Sequence, residues 1–307
     1  MSGLKATLFG KFNIEHGGKK VDGLQARKVQ ELLSFLLVFR NIPHSREVLS
    51  ETLWDNKPSS QARKCMRQTV WRLQTVTKKN GGASVGKLLV HDNWIQFKPS
   101  SDFWLDIAEF EKVFELEKGK KPRELSASDY KVIGYAVNIY RGDLLEGWYQ
   151  DWCIFERERF QIMHLMLLDK LVQYCEIHEM YEAGLSYGTK ILRHDHAYER
   201  THRQLMRLYY MTGNRTQALR QYERCVLALH NELGVEPSEP TKVLHEQIRL
   251  DTFKPSSYIQ NMDVSKVKIK TTPALQDILF RLAEVSETLN MIEHQIQEEI
   301  VGFDGLR

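Results

Sequence analysis

The chain has 307 residues, 42% hydrophobic and 27% charged, with four cysteines and a formal net charge of +3. This composition excludes collagen-like, disulfide-scaffolded and wholly disordered chains, and the length fits about two domains that each bury a core. The small net charge hides an asymmetry: residues 1–100 hold 17 basic and 7 acidic side chains, which reads as a polyanion-binding head on an acidic body.

The chain opens Met1-Ser2-Gly3-Leu4-Lys5, without the basic and apolar regions of a signal peptide. No run of about 18 apolar residues marks a membrane span, so a cytoplasmic protein without membrane contact is expected. Residues 4–21 read as strand, turn, strand, with His16-Gly17-Gly18 as the turn signal. A helix is predicted over residues 26–40, stopped by Asn41 and Pro43. Ser45 is placed to cap a short helix that ends near Trp54. Ser59 or Ser60 opens a third helix that runs to Lys79, where Asn80-Gly81-Gly82 stops it. Residues 86–98 follow as a hairpin around Asp92-Asn93. The order of hairpin, three helices and hairpin is that of a winged helix-turn-helix with an extra N-terminal sheet.

The third helix divides cleanly by its helical period. Ala62, Met66, Thr69, Val70, Leu73 and Val76 form an inward stripe. Arg63, Arg67, Trp71, Gln74 and Lys78 form another, flanked by Lys64, Gln68, Arg72 and Thr75. No acidic residue interrupts residues 60–79, whereas a merely solvated face normally mixes signs. Such a helix suits the major groove, where Arg offers two donors to guanine and Gln pairs with adenine. The predicted double-stranded DNA contacts are Arg63, Lys64, Arg67, Gln68, Trp71, Arg72, Lys78 and Lys79, with Lys64, Arg72, Lys78 and Lys79 on phosphates. Trp71 either touches sugar or a thymine methyl, or packs on the wing. Lys87 and Asn93 of the hairpin reach the adjacent minor groove or phosphates.

From Phe103 to Ile248 the pattern is helical throughout, with breaks at residues 119–122, Gly142, Gly147, residues 194–195, Gly213 and residues 234–237. A 34-residue offset aligns Leu171 with Leu205, Tyr174 with Leu208, Gly184 with Ala218, Leu185 with Leu219, and Ile191 with Cys225. That is the period of stacked tetratricopeptide helix pairs, whose grooves take peptides or proteins. Residues 253–272 read as a polar linker. Leu275, Ile278, Leu282, Val285, Leu289, Ile292 and Ile296 then recur at alternating spacings of three and four. This amphipathic helix either pairs with a second copy, giving a homodimer, or folds back on the helical domain. The predicted organisation is a winged helix over 1–100, a helical domain over 101–252, the linker, and a heptad helix over 273–302. The fold class is mainly α with small β-hairpins.

These residues resemble the Streptomyces antibiotic regulatory protein (SARP) type of transcriptional activator. The first region carries Phe9-Gly10-Lys11-Phe12, Ser45-Arg46-Glu47-Val48-Leu49, Leu53-Trp54 and Ala62-Arg63. The second carries Trp104-Leu105-Asp106, Tyr140-Arg141-Gly142-Asp143-Leu144-Leu145, Gly213-Asn214-Arg215 and Glu232-Leu233-Gly234-Val235-Glu236-Pro237. The resemblance implies an OmpR-type winged helix joined to a bacterial transcriptional activation domain. It implies an activator that binds promoter direct repeats, enters the major groove with Arg63, Lys64, Arg67, Trp71 and Arg72, and recruits RNA polymerase. The tail after about residue 253 departs from the basic two-domain pattern.

Other chemistry finds little footing. Residues 81–87 nearly spell a P-loop, but Leu88 stands where Ser or Thr would hold magnesium, and the loop runs from helix to strand. His194, Asp195, His196 and His202 could suggest a metal site, but Asp195 and His202 fall on structural positions of the helical family, so no metal is expected. No catalytic set converges and no cofactor is expected. Cys65, Cys153, Cys175 and Cys225 form no CxxC and read as reduced, buried thiols. Trp148, Tyr149 and Trp152 read as a packed aromatic cluster. The helical domain is expected to receive a peptide or small-molecule effector, or an RNA polymerase subunit. The competing reading is a peptide- or protein-binding adaptor that makes no contact with DNA.

Overall fold

The computed structural model describes residues 4–79 and 86–254, so the heptad positions from Leu275 to Ile296 lie outside it. Three strands, β1 (Leu4–Thr7), β2 (Asn13–His16) and β3 (Lys19–Lys20), form an antiparallel meander. The winged helix follows: α1 (Arg27–Val38), β4 (His44–Ser45), α2 (Arg46–Leu53), α3 (Ser59–Lys79), β5 (Lys87–Val90) and β6 (Trp94–Lys98). Its second sheet has the order β4-β6-β5.

Next comes a departure from the all-helical expectation after Phe103. Trp104–Leu105 is a strand, β7, which pairs in parallel with β1. The edge of β1 needs a partner for its N–H and C=O groups. Two residues suffice, too few to show a period in the sequence. Seven helices follow: α4 (Asp106–Glu117), α5 (Ala127–Ile139), α6 (Asp151–Ile177), α7 (Tyr181–His194), α8 (Glu199–Met211), α9 (Arg215–Leu233) and α10 (Glu239–Arg249).

The sheet and the helices share one core. Phe9 sits edge-on to Phe110 and Phe160, at 5.3 Å between centroids in each case. The backbone of residues 143–146 runs beside residues 8–10. Leu145 donates to Leu8 O, Gly10 to Asp143 O, and Glu146 to Gly10 O, each at 2.8 Å. Asp106 fastens the same seam, because its Oδ2 accepts the amides of Leu8 and Phe9 at 2.7 and 2.8 Å. Burial pushes the Asp106 carboxyl up to about 6, against the opposing pull of those amides. A carboxyl raised in the fold adds stability at pH below about 4, and that contribution is lost as pH rises through about 6. The loss is on the order of 3 kcal/mol. Asp106→Asn should remove this step from the stability–pH curve measured by urea unfolding. An unchanged curve would show that Asp106 titrates as an ordinary carboxylate.

The 34-residue repeat is visible in the packing. Leu171, Leu205, Ile191 and Cys225 are all buried. A Cβ on Gly188 would lie 2.6 Å from Leu205 Cδ2, and one on Gly184 would lie 2.9 Å from Leu208 Cδ1. A Cβ at either position would make the Leu205 or Leu208 side chain of α8 shift. The turn between α6 and α7 carries no Gly or Pro; Glu179 adopts a φ of 58° there, so the break left no signal in the sequence. Lys170 donates to Glu117 O at 2.7 Å, to Lys118 O and to Lys120 O, which satisfies the end of α4.

Of the predicted aromatic cluster, Trp148 and Trp152 are buried, the latter edge-on to Phe35 at 5.2 Å. Tyr149 is exposed instead, on the loop that leads into α6. His202 is buried: its Nε2 donates to His196 O and its Nδ1 accepts from Gln221, both at 2.8 Å.

Candidate nucleic-acid interface

The interface is built on the stripe that α3 buries. Ala62, Met66, Thr69, Val70 and Leu73 face the core, and Val76 is partly buried. Inward residues at helical spacing fix which side chains face out. Arg63, Lys64, Arg67, Gln68, Arg72 and Lys78 are exposed, and Trp71 is 66% exposed. Trp71 therefore stands clear, as its groove-contact reading requires. The Lys79 side chain lies outside the described residues.

Burying a helix face normally leaves surface cations to pair with neighbouring carboxylates. Arg40, Arg159, Lys120 and Arg200 all do so elsewhere in the chain. Among the described residues, Arg63, Lys64, Arg67, Arg72 and Lys78 have no ion pair and no hydrogen-bonded side-chain partner. Five unneutralised cations on one helix make a strong local positive potential.

Beside the first turns of α3 lies an open cleft of about 420 Å³. Its walls include Arg63 and Arg67 from α3, Arg46 from α2 and Asn93 from the wing turn. The structure thus brings together three of the predicted residues, Arg63, Arg67 and Asn93. Lys87 is exposed at the start of β5, opposite Lys98 and at the other end of the wing from Asn93. Lys64, Gln68, Trp71, Arg72 and Lys78 lie along the helix outside the cleft.

Sequence reasoning missed Arg46. Its one signal was its position directly after the N-cap Ser45, whose hydroxyl accepts from Glu47 N at 3.3 Å. Arg46 ties the parts into one piece: its amide donates to Asn93 O at 3.0 Å and its guanidinium to His91 O at 3.3 Å. His91 in turn stacks on Trp94 at 4.0 Å. Sequence reading also passed over the acidic Glu47 and Asp92, which line the same cleft. A carboxylate there repels phosphate and accepts from cytosine N4.

Residues 105–249 match the protein family described as the bacterial transcriptional activator domain. The match spans a little under half of the chain. In fold, the chain is similar to Mycobacterium tuberculosis EmbR, solved in complex with a low-affinity phosphopeptide. The TM-score is 0.66 at 18% identity, and the match covers 89% of this chain and 73% of that one. No curated protein sequence matches. A helical region similar to the activator-domain family, set behind a winged helix, agrees with the SARP-type arrangement that the sequence motifs imply. Among the described residues, no helix is long and apolar enough to cross a membrane.

Three cysteines, Cys153, Cys175 and Cys225, are buried, and burial raises their thiols to about 11, 11 and 12. Cys65 on α3 is partly exposed. In the native protein a maleimide should therefore modify Cys65 first, because thiolate and access together set the rate. A mass spectrum after limited labelling checks this, and equal labelling of all four cysteines would refute it.

Proposed function

We propose that the protein is a cytoplasmic, sequence-specific DNA-binding activator that performs no catalysis. The observation that carries this reading is the exposed face of α3: five cations without partners among the described residues, no acidic residue, and a wing fastened beside it. In this reading α3 enters the major groove. Arg63, Arg67 and Gln68 read base edges, Lys64, Arg72, Lys78 and Lys79 hold phosphates, and Asn93 and Lys87 meet the flanking backbone or minor groove.

The activator domain recruits RNA polymerase in this reading, which rests on the family resemblance. In this reading the partner meets α6, where Phe155 is 70% exposed and the exposed Ile162 and Met166 follow it on the same helix face. Domain limits at residues 100 and 252, and dimerisation through the heptad helix, belong to the same proposal.

The test is binding to a fragment of the gene's own upstream region and to scrambled DNA of equal length, at two salt concentrations. Six to ten phosphate contacts predict a fall of about 10³–10⁵-fold between about 50 and 200 mM salt. A preference for one fragment that survives the higher salt supports a sequence reader. Absence of binding at low salt would shift the reading to an adaptor.

A further inference from the structure

A second cationic site takes none of its lining from α3. It is an open cleft of about 460 Å³ between the edge of the N-terminal sheet and the end of α5. Lys5 of β1, Trp104 of β7, and Tyr135, Asn138 and Arg141 from α5 and its exit line it. Its volume falls within the range of small-molecule sites.

Two features of this lining point to a ligand. The first is charge without neutralisation. Lys5 and Arg141 are both exposed, and among the described residues neither forms an ion pair. The one carboxylate in the wall, Asp106, is buried, its oxygens are committed to the amides of Leu8, Phe9 and Ile107, and Arg141 acts on it only through space, as the smallest of the influences on it. The second is aromatic surface beside that charge. The Lys5 ammonium lies 4.7 Å from the Trp104 ring centroid, and Tyr135 opposite is nearly half exposed. A cation poised on an aromatic face, with a second cation across the cleft, matches a planar ring that bears an anionic group. The exposed Asn138 amide adds both a donor and an acceptor.

We propose that this cleft binds a small aromatic anion, an aryl phosphate or aryl carboxylate, with Lys5 and Arg141 on the anion and Trp104 and Tyr135 on the ring. The site draws its walls from the sheet and from the activator domain, across the seam that Asp106 fastens. Occupancy links β1 to α5 and stabilises that seam. The proposal stands apart from DNA binding, which uses α3.

The experiment is a calorimetric titration of the full-length protein with phenyl phosphate. Benzoate distinguishes carboxylate from phosphate ligands. Inorganic phosphate, phenol and cyclohexyl phosphate test the charge and the ring separately. Saturable one-to-one binding of phenyl phosphate or benzoate is expected, with the three comparators each weaker by about tenfold or more. Lys5→Gln and Arg141→Gln should each weaken it by about tenfold. Both side chains are exposed, and Lys5→Gln keeps the test valid if Arg141→Gln disturbs Asp106. Arg67→Ala, on the other cationic surface, should leave the affinity unchanged. No saturable binding, equal binding of the comparators, or loss with Arg67→Ala but not with Lys5→Gln would overturn the proposal.

Discussion

Replacing Arg67 with Ala is expected to weaken binding to the recognised DNA site by about 1–3 kcal/mol, with little change on scrambled DNA. Arg67 lies on the exposed stripe of α3 and in the cleft that also holds Arg63 and Asn93. It has no carboxylate partner among the described residues, so no internal pair must break before it meets a base. Its planar fork offers two donors to the O6 and N7 of one guanine. Lys64, one turn away on the flank, predicts the opposite signature. Lys64→Ala should weaken all sequences alike and lower the salt slope by about one. Titrations of both variants on both DNAs separate the roles. Equal loss on specific and scrambled DNA would reassign Arg67 to a phosphate.

Arg207→Met should destabilise the fold by about 3–5 kcal/mol, the largest loss expected for a single substitution here. Arg207 of α8 and Glu176 of α6 are both buried and meet as a fork, Nε to Oε1 at 2.5 Å and Nη2 to Oε2 at 3.0 Å. Removal of the guanidinium leaves a carboxylate enclosed in the helical stack with no counter-charge. The double variant Arg207→Met/Glu176→Leu should recover most of the loss, because apolar side chains of similar volume replace a desolvated pair. Urea unfolding measures both. A double variant no more stable than the single would mean that Arg207 acts through its other contacts.

The sequence disclosed the features that repeat or alternate. The inward stripe of α3 from Ala62 to Leu73 showed at helical spacing, and the outward cations followed from it. The wing showed through Ile95 and Phe97 around Asp92-Asn93, and the stacked helices through the offset that pairs Leu171 with Leu205. What stayed hidden rests on single residues whose meaning comes from distant partners. Asp106 gives no local sign that it will accept the amides of Leu8 and Phe9, nearly a hundred residues earlier. Trp104–Leu105 is too short to alternate. Arg46 joins the cleft beside α3 only because the wing turn folds back onto α2. Glu179 turns the chain without the glycine that usually marks a left-handed residue.

The β1–β7 pairing also bears on how the chain is made. During synthesis from the N-terminus, β1 emerges first, yet its parallel partner lies at Trp104–Leu105 and its second flanking backbone at residues 143–146. The winged helix is fully translated while one border of its first sheet still lacks that strand. Until translation passes these segments, the nascent head exposes a strand edge that invites pairing with other chains. A head cut near residue 100 would keep that edge open, although the winged helix itself is then complete.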